Sequence, residues 1–179
     1  MTHGDERRIL DQCAPALTGI KAGSLLKVDS MVCNDAIRLL TSYGNEDVGT
    51  KVLCPSGSSL LILVYRRSML ADILADNDVK EFLSERGYTG SMSLLLQLLS
   101  ERMCMGIQHE LGIFLGYPLS DVRGFMENGG RNYKYSGYWR VYGDVREAKR
   151  LFAHIKLSRR RCLRMFDAGL SFRTVANVA

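Results

Sequence analysis

The sequence predicts an α+β protein: a small, mainly antiparallel sheet of about four strands covered by helices, with a long helix near the C-terminus. Three observations carry this. Lys51 to Cys54 and Ser59 to Tyr65 flank the turn-forming cluster Pro55-Ser-Gly-Ser58 and read as a hairpin. From Arg67 to Met126 the apolar residues recur at helical rather than strand spacing. Beyond Asp144, Val145, Ala148, Phe152, Ile155, Cys162 and Phe166 recur every three or four residues and make one buried stripe.

Taken in order, Ile9 and Leu10 end a short helix ahead of Cys13-Ala-Pro-Ala, and Ser24 to Val28 is a short strand. Asn34 caps a helix over residues 34–43, which Gly44 stops. Leu60 to Tyr65 is apolar at every position, as befits a central strand covered on both faces. Helices follow over 69–74, 78–86, 91–104, 107–115 and 118–126, with Pro118 in a first turn where its missing N–H costs nothing. Gly137 to Tyr142 returns to strand, with Tyr138, Arg140 and Tyr142 on one face and Trp139 and Val141 on the other. Asp144, with Glu147 as a capping-box partner, starts a helix of ~36 Å that runs to about Ala168.

A chain of 179 residues with 46% hydrophobic content can bury a real core and reads as one domain over residues 1–179. That composition excludes a disordered or collagen-like chain. Cysteines at 13, 33, 54, 104 and 162 are odd in number and dispersed, which suggests reduced thiols in a cytoplasmic protein. Charged residues 5–8 interrupt the N-terminus where a signal peptide would be apolar. The longest apolar runs, Leu60 to Tyr65 and Leu94 to Leu99, are far too short to cross a bilayer, so no membrane partner is expected.

The net charge of +5 is unevenly spread. Residues 1–129 hold 12 Lys+Arg against 16 Asp+Glu, whereas residues 130–179 hold 12 against 3. Arg146, Lys149, Arg150, Lys156, Arg160, Arg161 and Arg164 fall opposite the apolar stripe of the last long helix. This asymmetry points to an anionic partner, nucleic acid among the possibilities.

Phosphate-binding loops of the known glycine-rich kinds are missing from the sequence, and Cys54-Pro-Ser-Gly-Ser-Ser has neither the lysine nor the spacing of one. His109-Glu110 begins like a zinc-protease helix, but Ile113 stands where the second histidine would be, so no metal site is expected. His109 beside Glu110 can still act as acid or base. Cys13, close to Lys21, is the candidate for an activated thiol, which makes a thiol or acid-base enzyme of Cys13, His109 and Glu110 one alternative.

The densest constellation is residues 131–142. Five of the fifteen aromatics lie there, interleaved with Arg131, Lys134 and Arg140 and preceded by Asn128-Gly-Gly130. Arg131, Asn132, Lys134, Tyr138, Trp139, Arg140 and Tyr142 are the candidate ligand residues, since aromatic faces beside guanidinium groups stack planar rings and hold phosphates. The junction over 107–126 looks like a helix-turn-helix. Its second helix offers only Arg123 as a cation, so it reads as a packed corner.

His109-Glu-Leu-Gly-Ile-Phe-Leu-Gly-Tyr-Pro118 and Gly137-Tyr-Trp-Arg-Val-Tyr-Gly-Asp144 resemble the bacterial family numbered 3793 among domains of unknown function. Cys13-Ala-Pro-Ala-Leu-Thr-Gly-Ile-Lys21 and Leu61-Ile-Leu-Val-Tyr-Arg66 are similar to its earlier signatures. The resemblance implies a stand-alone cytoplasmic protein of anaerobic bacteria and carries over no catalytic residue. It also implies a flavin or redox context, with a flavodoxin-like protein as an acidic partner. The reading that results is a non-enzymatic protein binding an anionic planar ligand, nucleotide or flavin, or an acidic protein, through residues 131–142. The alternatives are nucleic-acid binding through the basic C-terminal helix and the Cys13 enzyme.

Overall fold

Burial on both faces explains the uninterrupted apolar run of the central strand. In the computed structural model, which describes residues 1–56, 58–106 and 108–177, strands β1 (Gly23–Asp29), β2 (Val48–Ser56) and β3 (Ser59–Arg66) form an antiparallel sheet in the order β1-β3-β2. Successive β3 side chains point to opposite faces. Ile62 and Val64 join one core with α1 (His3–Leu17), α2 (Cys33–Ser42), α9 (Phe172–Ala176) and the end of α8 (Val145–Asp167). Leu63 and Tyr65 join another, with α3 (Arg67–Ala75), α4 (Asn77–Ser84), α5 (Met92–Met103), α6 (Leu111–Phe114) and α7 (Leu119–Glu127). The expected hairpin is present as β2 paired with β3, although Gly57 of its turn lies outside the described residues.

Of the fourth strand expected over Gly137 to Tyr142, only Arg140–Val141 forms, residues 137–139 being a bend, and it is separate from this sheet. Tyr135–Ser136 (β4) and Arg140–Val141 (β5) pair only with each other, and around them gathers a third, smaller core of Trp139, Val141, Ala148, Phe152 and Ile155. The alternation within the segment is as expected: Trp139 and Val141 are buried, while Tyr138 and Arg140 are exposed.

Three helices differ from expectation. α1 does not stop at Leu10 but continues to Leu17 with Pro15 inside it. An internal proline costs a helix ~3 kcal/mol. Burying Cys13, Ala14, Ala16 and Leu17 offsets that, and Arg66 donates to the Ala16 and Leu17 carbonyls at the helix end. α2 begins at Cys33, one residue early, because Asp29 accepts the Met31 N–H at 2.9 Å and turns the chain there; Asn34 therefore sits in the first turn rather than at the cap. Of the helix expected over 107–115, Leu111–Phe114 is helical; Ile107 lies outside the described residues. Just before it, Gln108 donates to the Arg102 carbonyl at 3.2 Å, tying this stretch to the end of α5 as a loop.

α8 starts at Asp144 as expected, but Glu147 does not complete the expected capping box. The Asp144 carboxylate accepts the Arg146 and Glu147 N–H groups at 2.7 and 3.1 Å, and Ala148, Phe152, Ile155, Cys162 and Phe166 are buried. Glu147 contributes its backbone N–H to the cap. α9 was not anticipated, although Ser171 caps it through Thr174 N–H in the usual way.

Candidate ligand site

Asp121 organises the site. It stands at the third position of α7, where the positive end of the helix dipole favours a carboxylate, and it is 3% exposed. Its Oδ2 accepts the indole N–H of Trp139 at 2.7 Å. Its Oδ1 accepts the backbone N–H groups of Tyr142 and Gly143 at 2.8 and 2.7 Å. The β4–β5 turn, through Trp139, and the segment just after β5 are thereby fastened to α7. Gly124 makes room for that contact, since a Cβ there would collide with the Tyr142 ring.

Held in this way, the Trp139 indole stacks on Tyr117 with ring centroids 4.5 Å apart and meets Phe152 edge-on at 4.5 Å. A pocket of about 330 Å³ opens beside it, lined among others by Gln108, His109, Phe125, Tyr138, Trp139 and Arg140. The His109 ring lies 5.1 Å from Phe125. The Arg140 guanidinium sits 5.7 Å from the Phe125 ring and 5.4 Å from that of Tyr133, and it also donates to the Gly130 carbonyl. The walls are aromatic, and cationic or protonatable groups stand at one edge. Such a surface can stack a planar ring and hold an anion against it.

Four of the sequence-selected residues therefore meet here: His109, Tyr138, Trp139 and Arg140. The others do not line this pocket. Arg131 and Lys134 are exposed, with Lys134 donating to the Gly143 carbonyl at 3.2 Å. Asn132 adopts a left-handed backbone, φ 56°, and donates to Asn128 at 3.2 Å. Tyr142 is half-buried against α7. Phe125, Tyr117 and Gln108 were not singled out from the sequence, because each reads locally as an ordinary helix or loop residue.

The Cys13, His109 and Glu110 constellation is not assembled. Cys13 is fully buried in the α1 core, and burial pushes its thiol up, opposite to the activated thiol that Lys21 suggested. Glu110 is buried and turned away to Arg86, 3.6 Å from its Nε, so it does not serve as the partner of His109, whose ring packs on Phe125.

A larger hollow of about 690 Å³ lies on the α3, α4 and α8 side of Tyr117 and Trp139. Four of its five carboxylates, all but Asp72, have local duties. Asp76 and Asp144 cap α4 and α8, and Asp78 and Glu147 occupy their first turns. These positions suit helix stability without any ligand.

Fold and pocket together define a helix-covered α+β protein with an aromatic, cation-edged cavity built on the α6–α7 corner and the β4–β5 turn. The chain belongs to the family described as "Protein of unknown function (DUF3793)", whose model matches residues 9–176. No curated protein and no solved structure matches it. No helix among the described residues is long and apolar enough to cross a membrane.

Proposed function

We propose that this is a cytoplasmic, non-enzymatic binding protein whose ligand is planar and anionic, of the nucleotide or flavin-phosphate class. The observation that carries the reading is the meeting of His109, Tyr138, Trp139 and Arg140 in one aromatic pocket. Its volume of about 330 Å³ falls at the small end of the range for small-molecule sites, ~300–1,000 Å³. The ring would lie against Trp139, Tyr138 or Phe125, and the phosphate would meet Arg140 and His109. Dispersed cysteines, three of them buried as free thiols, suit a reducing compartment. An acidic protein, flavodoxin-like in charge, is the second reading, supported by the exposed Arg131 and Lys134.

Thermal-shift titration against FMN and ATP tests the proposal. A ligand at a hundred times its Kd stabilises by ~2.7 kcal/mol, which raises the Tm of a chain this size by roughly 5–10 °C. Arg140→Ala should abolish the shift. Flat melting curves for both ligands at millimolar concentration would remove the small-molecule reading. Binding of an acidic protein that depends on Arg131 and Lys134 would replace it with the second.

A further inference from the structure

The cations of α8 follow one face of the helix from end to end. Arg146, Lys149, Arg150, Lys156, Arg160, Arg161 and Arg164 are all exposed and fall within an arc of about 140° at 3.6 residues per turn. They extend over about 27 Å at 1.5 Å per residue. Among the described residues none of the seven makes an ion pair, whereas cations between α1 and α8 do: Arg159 of α8 meets Asp11 at 2.7 Å, and Arg7 of α1 meets Asp167 at 2.8 Å. At the N-terminal end the capping Asp144 lies close to Arg146 and Arg150.

Helix stability does not account for this stripe. Arg146 occupies the first turn, where the dipole disfavours a cation. Arg146 and Arg150, Lys156 and Arg160, and Arg160 and Arg164 are like charges at i,i+4, an arrangement that weakens a helix.

Aromatic rings flank the stripe on one side. Tyr135 and Tyr138 are mounted on Phe152, with ring centroids 6.1 and 5.5 Å away, and Tyr138 is 40% exposed. Lys149 lies 4.8 Å over the Tyr135 ring. Together with Lys156 these residues line an open hollow of about 450 Å³ that is continuous with the cationic face. Gly137 permits the arrangement, because a Cβ there would strike the Phe152 ring.

We infer that the outer face of α8 and the Tyr135–Tyr138 turn form a track for single-stranded nucleic acid: phosphates run along the cations, and an unpaired base stacks at Tyr138. A duplex or an acidic protein could use the charges, but its bases or side chains have no call on the tyrosine ring. Cationic grooves with adjoining aromatic platforms are the general solution for unpaired strands. This track shares Tyr138 with the pocket but uses neither Arg140 nor His109, so Arg140→Ala, which should abolish ligand binding in the pocket, should leave the single strand bound and keeps the two readings distinguishable.

Fluorescence anisotropy with a labelled twelve-nucleotide oligothymidylate, the duplex of the same length, and heparin tests it on the full chain. The single strand should bind at low salt, with log K falling linearly against log salt. Arg160→Ala with Arg164→Ala should make that slope shallower by about 1.4, since each phosphate contact contributes about 0.7. Tyr138→Leu should weaken the single strand about tenfold and leave heparin unchanged, while Tyr138→Phe should bind as the parent does. Absence of binding at 50 mM salt overturns the inference. So does equal affinity for all three probes with no effect of Tyr138→Leu, which would mark the stripe as a general polyanion surface.

Discussion

The indole of Trp139 donates to the carboxylate of Asp121 across 18 residues of chain, at 2.7 Å and with both side chains buried. One buried charge thereby satisfies three donors, the other two being the N–H groups of Tyr142 and Gly143. The pocket wall depends on this joint, because the same indole carries the stack with Tyr117 and the contact with Phe152.

Asp121→Ala is expected to destabilise the protein by about 3–5 kcal/mol in urea unfolding, since hydrogen bonds to a charged group contribute ~1.5–3 kcal/mol each and orphaned buried donors add a penalty. Asp121→Asn keeps acceptor capacity and should lose less. Trp139→Phe should cost about 1–2 kcal/mol beyond the change in packing, because it leaves Oδ2 without its donor. A loss under 0.5 kcal/mol for Asp121→Ala would show that the joint is not structural.

Gly124→Ala sets two effects against each other. Alanine raises helix propensity by ~1 kcal/mol, but its Cβ would occupy the space of the Tyr142 ring. Overpacking typically costs 1–3 kcal/mol, so a net loss of about 1–2 kcal/mol is expected in chemical denaturation. Stabilisation instead would mean that Tyr142 moves aside freely.

Lys21 is half-buried against Tyr117, its ammonium 4.8 Å from the ring, and the loss of solvation lowers its pKa to about 8. Between pH 8 and about 10.5 the unfolded chain then holds a proton that the folded chain has released, so this group's contribution to stability rises with pH across that window. Below pH 8 the full penalty is present. Lys21→Met should therefore stabilise the protein at pH 7 by about 1–3 kcal/mol, the ring contact offsetting part of the burial cost. The advantage should shrink as pH rises from 8 to 10.5. Groups that titrate in both proteins cancel in the difference, and an advantage independent of pH would contradict the assignment.

Thiol labelling should follow exposure. Cys104 is exposed, whereas Cys13, Cys33 and Cys162 are buried and burial pushes their thiols up. Maleimide at pH 7.5 is expected to modify Cys104 first and to reach Cys13 only on unfolding, with peptide mapping as the readout. Rapid labelling of Cys13 in the folded protein would revive the thiol-enzyme alternative.

Legibility differed between elements for identifiable reasons. The continuous run Leu60 to Tyr65 announced a strand covered on both faces, and Asp144 announced the start of α8, because both signals reside in neighbouring residues. Pro15 misled for the complementary reason: the local rule stops a helix there, while burial of Cys13, Ala14, Ala16 and Leu17 keeps it going. Within the site, period-two alternation placed Trp139 and Val141 inward and Tyr138 and Arg140 outward. It could not indicate that His109 and Phe125 would be the surfaces opposite them.

Residue order alone determined the α+β class, the central strand, the long basic helix and the concentration of aromatics and cations in residues 131–142. These depend on spacings of two, three and four residues, which any reader of the chain can count. Only the tertiary structure decided that Asp121 receives Trp139, that Glu110 goes to Arg86 rather than to His109, and that Cys13 is sealed in the core. Those outcomes rest on which faces meet across long stretches of chain. They are selected by the burial and hydrogen bonding of the whole molecule, and no local spacing encodes them.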